Sequence, residues 1–94
     1  MIRSFRCSDS EALTQGARVK RFVNIEAVAR RKLRQLEISS LLGDLRVPPG
    51  NRLEALKGKR SGQYSIRIND QWRICFEWPD HSPGPTNVEI IDYH

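Results

Sequence analysis

The stretch Tyr64-Ser65-Ile66-Arg67-Ile68-Asn69-Asp70-Gln71-Trp72-Arg73-Ile74-Cys75-Phe76-Glu77-Trp78 holds two runs of period two around a polar tip. Tyr64, Ile66 and Ile68 alternate with Ser65, Arg67 and Asn69. Trp72, Ile74, Phe76 and Trp78 alternate with Arg73, Cys75 and Glu77. Successive side chains of a strand point to opposite faces, so each run predicts a half-buried strand. A three-residue loop, Asn69-Asp70-Gln71, sets Ile68 opposite Trp72 and keeps both on the core face. A two-residue loop would set Gln71 there and break the alternation. In the favoured register Arg67 faces Arg73 on the other side of the sheet.

Two like charges directly opposed across strands destabilise a sheet. Two readings account for the pair. A bound phosphate relieves it, because guanidinium groups fork onto phosphate oxygens. Alternatively both side chains splay into solvent, or one meets Glu77 or Glu89.

Upstream of the hairpin the period is helical. Ile25, Val28, Ala29, Leu33 and Leu36 recur on one stripe while Arg30, Arg31, Arg34 and Glu37 point elsewhere, predicting a helix from about Asn24 to Ser39. Residues 2–6 suit a short opening strand. Ser8 and Glu11 read as a capping box for a helix through about Thr14, broken by Gly16. Leu41–Leu45 adds a helical turn, and Pro48-Pro49-Gly50-Asn51 forces a loop. Leu53–Lys57 is a short strand candidate ended by Gly58. Pro79–Pro85 makes a second loop, and Val88–Tyr93 a last strand. Helices first and strands afterwards predict an α+β fold, its N-terminal helices packed on one face of a mostly antiparallel sheet. Trp72, Ile74, Phe76 and Trp78 read as core.

At 94 residues and 38% apolar content the chain suits a single compact domain spanning 1–94. No apolar run approaches the roughly 20 residues needed to span a bilayer. The opening Met1-Ile2-Arg3-Ser4-Phe5 lacks the apolar core of a signal peptide, so a cytoplasmic location is expected. Cys7 and Cys75 match no zinc or redox spacing and are expected as free thiols. The net charge of +5 is uneven: Arg18, Lys20, Arg21, Arg30, Arg31, Lys32 and Arg34 stand with only Glu26 against them. Such a segment attracts polyanions or an acidic partner, or forms a solvated helix face. Individual side chains such as Arg30 are expected in solvent.

There is no Gly-rich phosphate loop, no cluster with metal-ligand spacing and no evident Ser/His/Asp constellation. No cofactor and no metal are therefore expected. Metal-independent acid–base chemistry on a phosphodiester is the enzymatic option that suits the residues present.

Three stretches carry a family resemblance: Pro49-Gly50-Asn51-Arg52-Leu53-Glu54-Ala55-Leu56-Lys57-Gly58, Ser65 through Phe76, and Val88-Glu89-Ile90-Ile91-Asp92-Tyr93-His94. With the opening Met1–Phe5, they resemble the HigB-type toxins (the plasmid maintenance system killer family) of the RelE/ParE superfamily. The resemblance implies a RelE-like fold and a HigA-type helix-turn-helix antitoxin as partner. It also implies cleavage of messenger RNA on the ribosome, in which the ribose 2′-hydroxyl attacks the adjacent phosphate and the 5′-oxygen leaves. Lys57 and Arg73 match family positions that contact the substrate phosphate or transition state. Asp92, Tyr93 and His94 match the functional C-terminal motif.

Arg67 and Arg73 are assigned to charge stabilisation, often the largest catalytic contribution. His94 is the proton-transfer candidate, its reference pKa being near neutrality. Tyr93 suits base stacking or ribose orientation. Glu54 departs from the pattern, since some members carry a functional histidine there. It reads either as a general base or as a surface residue paired with Arg52 or Lys57. Two other classes stay open beside the endoribonuclease. One is a non-catalytic inhibitor of ribosome or gyrase on the same fold, the other a plain RNA-binding module resting on the basic segment.

Overall fold

A computed structural model describes residues 1–92 of the chain. Two helices, α1 (Ser8–Thr14) and α2 (Glu26–Ile38), precede four strands: β1 (Glu54–Ala55), β2 (Gln63–Arg67), β3 (Trp72–Glu77) and β4 (Thr86–Asp92). The strands form one antiparallel sheet in the order β1-β2-β3-β4. Four 3-10 turns punctuate the connections, at Lys20–Ile25, Leu42–Arg46, Pro49–Asn51 and Gly58–Arg60. The expected α+β architecture is the observed one.

The central hairpin has the anticipated register. Arg67 pairs with Arg73, Ile66 with Ile74 and Tyr64 with Phe76. The Ile68 amide donates to the Trp72 carbonyl at 3.0 Å, closing the three-residue tip. The Asn69 side chain accepts from the Gln71 and Trp72 amides, an Asx-type turn that needs a short polar residue there. Ile66, Ile68, Ile74, Phe76, Val88 and Ile90 form the inner face, and Leu13, Phe22, Ile25, Ala29, Leu33, Leu36 and Leu45 complete the core from the helical side. Trp72 and Trp78 are half-buried at its margin. Trp72 meets Phe22 edge-on, with ring centroids 5.6 Å apart.

Several expectations are corrected. Residues 2–6 make no strand: a single parallel bridge joins Phe5 to Val88. Around it the Arg6 amide donates to Val88 and the Val88 amide to Ser4, so this segment still covers the outer edge of β4. It is held close by Gly84, where a Cβ would stand 1.8 Å from the Met1 carbonyl oxygen. Ser8 opens no capping box, because Cys7 occupies the N-cap and its side chain makes no cap bond.

The second helix starts at Glu26, after a 3-10 turn that swings Phe22 and Ile25 into the core. The strand expected over Leu53–Lys57 contracts to Glu54–Ala55. The last strand begins at Thr86. It carries one extra residue opposite Cys75–Glu77, a bulge centred on Asn87 at φ 51°.

Asn51 ties α2 to the connection that runs from Leu45 to the turn before β1, and it is fully buried. Its Nδ2 donates to the Leu45 carbonyl (3.1 Å) and to Gln35 Oε1 (3.0 Å), with a longer bond to the Val47 carbonyl. The Lys32 ammonium donates to its Oδ1. Replacing Asn51 by Ala removes the side-chain donor to the buried Leu45 carbonyl and the donor to Gln35 Oε1. A loss of about 1–3 kcal/mol is expected in urea unfolding. An unchanged midpoint would show that the amide holds nothing together.

Candidate functional site

On the outer face of the sheet the side chains of Glu54, Ser65, Arg67, Arg73, Cys75 and Glu89 share one side, by the alternation of the paired strands. This face has two halves. In one, Arg60 bonds Glu89 at 3.0 Å and Arg6 bonds Glu77 at 3.2 Å, with a longer Arg6–Glu89 pair at 3.9 Å. Beneath them Ser65 and Cys75 are fully buried. Burial pushes the Cys75 thiol up to about 11, the neighbouring Glu89 adding to it, so it stays neutral at physiological pH. Cys7 and Cys75 are both free.

The other half is the candidate site. Arg73 donates to the Arg52 carbonyl at 2.9 Å and pairs with Glu54 at 3.3 Å. Arg67, directly opposite, pairs with Asp70 of the hairpin tip. The like-charge opposition is therefore real, and each guanidinium has a carboxylate. Neither carboxylate is Glu77 or Glu89, the partners that one of the alternatives offered, since those two serve Arg6 and Arg60. Glu54 likewise pairs with Arg73 and not with Arg52 or Lys57. The reason lies in the strand order: β1 places Glu54 opposite Ser65, one register step from Arg67 and Arg73.

Exposure separates the partners. The Arg73 side chain is 13% exposed against 49% for Glu54, and Arg67 is 30% exposed against 99% for Asp70. The cations are seated and the anions stand at the surface, where a competing anion can displace them at little cost. The hydrogen bond from Arg67, then its charge, holds the Asp70 carboxyl below the usual carboxylate range. Arg52 precedes β1 with φ 48° and ψ 53°, the left-handed region that non-glycine residues occupy at a cost of about 1–3 kcal/mol. That turn delivers its carbonyl to Arg73.

Of the remaining candidates, Lys57 is exposed at the start of the Gly58–Arg60 turn, three residues past Glu54. Asp92 ends β4 opposite Trp72, next to Ile91, which faces Arg73; its carboxylate accepts from Gln71 at 3.1 Å. Tyr93 and His94 lie outside the described residues. Arg67, Arg73 and Glu54 are thus brought together, while Asp92 projects towards the opposite face of the same strand end.

The basic segment is divided between internal and external uses. Arg21 pairs with Asp9 and lies over the Phe22 ring at 4.5 Å. Arg30, expected in solvent, pairs with Glu26 and donates to the Ala17 carbonyl at 2.8 Å. Arg18, Lys20, Arg31 and Arg34 are exposed. Lys32, read in the sequence only as part of a charge run, reaches Asn51 immediately before Arg52. Nothing in their spacing signalled that contact, because it forms between a helix and a turn across the core. Among the described residues no group of three His, Cys, Asp or Glu is placed to hold a metal ion, and no helix is long and apolar enough to cross a membrane.

A family model described as "RelE-like toxin of type II toxin-antitoxin system HigB" matches residues 14–94. Toxin HigB-1 of Vibrio cholerae is 47% identical over 57 residues, covering 61% of this chain and 60% of that protein. The match thus spans about three fifths of the length of that curated relative. An uncharacterized protein of Haemophilus influenzae is 40% identical over 71 residues, 76% of this chain and 70% of its own. The crystal structure of YafQ from E. coli shares the fold, with a TM-score of 0.57 at 18% identity over 94% of this chain and 89% of that one.

The Arg67–Asp70 pair has a signature in acid. A depressed folded-state pKa stabilises above the ordinary value, near 3.8, and that contribution fades as pH falls through the lowered value. Carboxyl-resolved NMR titration is expected to find Asp70 below 3.8, and Arg67→Gln to return it towards that value. An Asp70 midpoint indifferent to Arg67→Gln would show the pair absent in solution.

Proposed function

This chain belongs to the HigB-like family of RelE-like toxins of type II toxin–antitoxin systems, and we propose that it is an endoribonuclease cleaving messenger RNA on the ribosome. The observation that carries the reading is the opposed Arg67/Arg73 pair with Glu54 on the second guanidinium. A sheet gains nothing from two arginines facing each other. A phosphodiester placed between them gains two charge-assisted donors, and Asp70 and Glu54 are exposed enough to yield their places.

Attack of the ribose 2′-hydroxyl on the adjacent phosphorus forms a 2′,3′-cyclic phosphate and releases the 5′-oxygen of the next nucleotide. The site must stabilise extra charge on the phosphoryl oxygens, take the 2′-hydroxyl proton and return a proton to the leaving oxygen. Arg67 and Arg73 supply the first, from fixed positions on neighbouring strands and without metal. Lys57 adds an exposed cation from the start of the Gly58–Arg60 turn. Glu54 stands beside the guanidinium that would bind the phosphate and suits removal of the 2′-hydroxyl proton. His94 suits delivery of the other proton because imidazole titrates near neutrality. Asp92 would orient that end of the chain, and Tyr93 would stack on a base. A HigA-type antitoxin is the proposed partner, with the exposed cations of Lys20 and the second helix available to an acidic surface.

On programmed ribosomes the wild type is expected to yield fragments ending in 2′,3′-cyclic phosphate and beginning with 5′-hydroxyl. A 2′-deoxy nucleotide at the cleavage position should abolish them. Arg73→Ala is expected to lower the cleavage rate on the order of 10²–10³-fold. Fragments with 5′-phosphate ends would sink the 2′-hydroxyl mechanism. Toxicity that survives in Arg73→Ala, Glu54→Ala and His94→Ala alike would replace cleavage by blocking through binding.

For Glu54 the ion pair with Arg73 favours a second role, as the residue that positions the guanidinium. Glu54→Gln separates the two. A base lost this way lowers the rate by about 10²-fold or more and removes the acid limb of the pH–rate profile. A loss below about threefold with the limb intact assigns Glu54 to positioning alone.

A further inference from the structure

Three segments far apart in sequence deliver cations to the junction of α2 with the β2–β3 hairpin. Lys32 comes from α2, Arg52 from the turn before β1, and Arg67 from the end of β2. The contacts form a chain: Lys32 on Asn51 Oδ1, Asn51 followed by Arg52, and the Arg52 carbonyl on Arg73. Asn51 is a fixed anchor, fully buried with its amide committed to Leu45 and Gln35. The ammonium it holds is therefore already positioned, with little side-chain freedom left to lose on binding.

The charges are poorly compensated. Burial, then the positive charges of Arg31 and Arg67, pushes the Lys32 ammonium below the ordinary lysine range, so these groups feel one another. Among the described residues no carboxylate forms an ion pair with Lys32. The acid that answers Arg67 is Asp70, whose side chain is all but fully in water. A cation held by a buried anchor, beside an exposed Arg52 and with one exchangeable counter-ion nearby, is a place for an external anion. Its continuity with Arg73, through the carbonyl of Arg52, makes that anion part of the polymer that Arg73 engages.

We propose that Lys32 and Arg52, beside the Arg67/Arg73 pair, form a second anion subsite, which takes a backbone phosphate flanking the scissile one in a single-stranded RNA. The subsite rests on the nuclease reading for the identity of its ligand. It adds to that reading a direction for the strand: from the outer face of the sheet, around the hairpin edge, towards α2. Lys32 is a binding residue here, remote from the reacting bond.

The test is binding of a labelled, non-cleavable 2′-O-methyl RNA hexanucleotide to the purified full chain, followed by anisotropy across salt. Lys32→Gln keeps a donor for Asn51 and removes the charge. It is expected to weaken binding about fivefold and to reduce the slope of log affinity against log salt by about 0.7. Lys32→Arg should restore both. Arg52→Gln, at an exposed position, should reproduce the loss without touching the Lys32–Asn51 contact. Wild-type affinity and slope in Lys32→Gln and Arg52→Gln would overturn the subsite, as would failure of the wild type to bind the hexanucleotide. Unchanged RNA binding with weakened antitoxin capture would also overturn it, giving these cations to the protein partner. Loss in both variants supports the subsite even if the wild type cleaves no message on ribosomes, an outcome that removes the nuclease reading alone.

Discussion

The register of the hairpin between Gln63 and Glu77 is the constraint on which the rest of the molecule depends. Side chains alternate between faces, so a one-residue slip of either strand would turn its apolar side chains to water, Ile66 on β2 or Ile74 and Phe76 on β3. It would also carry Arg67 or Arg73 to the core face. Burial of the three apolar side chains, each worth about 1.5–3 kcal/mol, forbids that slip. The same energy that builds the core therefore holds two guanidinium groups opposite each other, against their mutual repulsion. Placing like charges together requires a rigid frame, and here the frame is the hydrophobic face of the same two strands.

Around that pair the outer face is used in two ways. Near β4 the ions answer one another, with Arg6 and Arg60 on Glu77 and Glu89, and they seal Ser65 and Cys75 from water. Near the hairpin tip the basic groups are seated and their acidic partners are loose. The first half is a lid of matched charge that contributes to closing the fold. The second is an electropositive patch whose compensation comes from exposed carboxylates. The difference is one of exposure more than of distance, because solvent screens an exposed pair far more than a seated one.

The hairpin and both faces of the sheet were legible in the sequence because period two and a polar tip leave one good register. The stripe of Ala29, Leu33 and Leu36 was legible for the same reason at helical period. What escaped depended on contacts between elements. Glu54 was read beside Arg52 or Lys57, its neighbours in sequence, whereas the turn before β1 sets it against Arg73. Asn51 was read as a loop residue, since a Pro-Pro-Gly-Asn run predicts a turn without saying what the amide will bond. Its burial follows from the packing of α2, which no local pattern encodes. Ser8 failed as a cap because the helix begins one residue earlier than its motif implied, with Cys7 at the boundary. The motif supplied candidate roles at Lys57, Asp92, Tyr93 and His94; the geometry groups Arg67, Arg73 and Glu54.

The bridge between Phe5 and Val88, with the Ser10 hydroxyl accepting from the Ile90 amide at 3.0 Å, joins residues about eighty positions apart. Contacts of such sequence separation form late and slowly, because most of the intervening chain must be ordered first. During synthesis the hairpin can emerge and pair, yet β4 reaches the tunnel exit only after the other elements. Until then the sheet has an open edge along β3, and α1 lacks the strand that its buried serine serves. A translating ribosome thus carries a chain whose opposed arginines already exist in sequence while the scaffold that fixes them is unfinished. Until β4 has emerged, the order of synthesis by itself keeps this molecule incomplete.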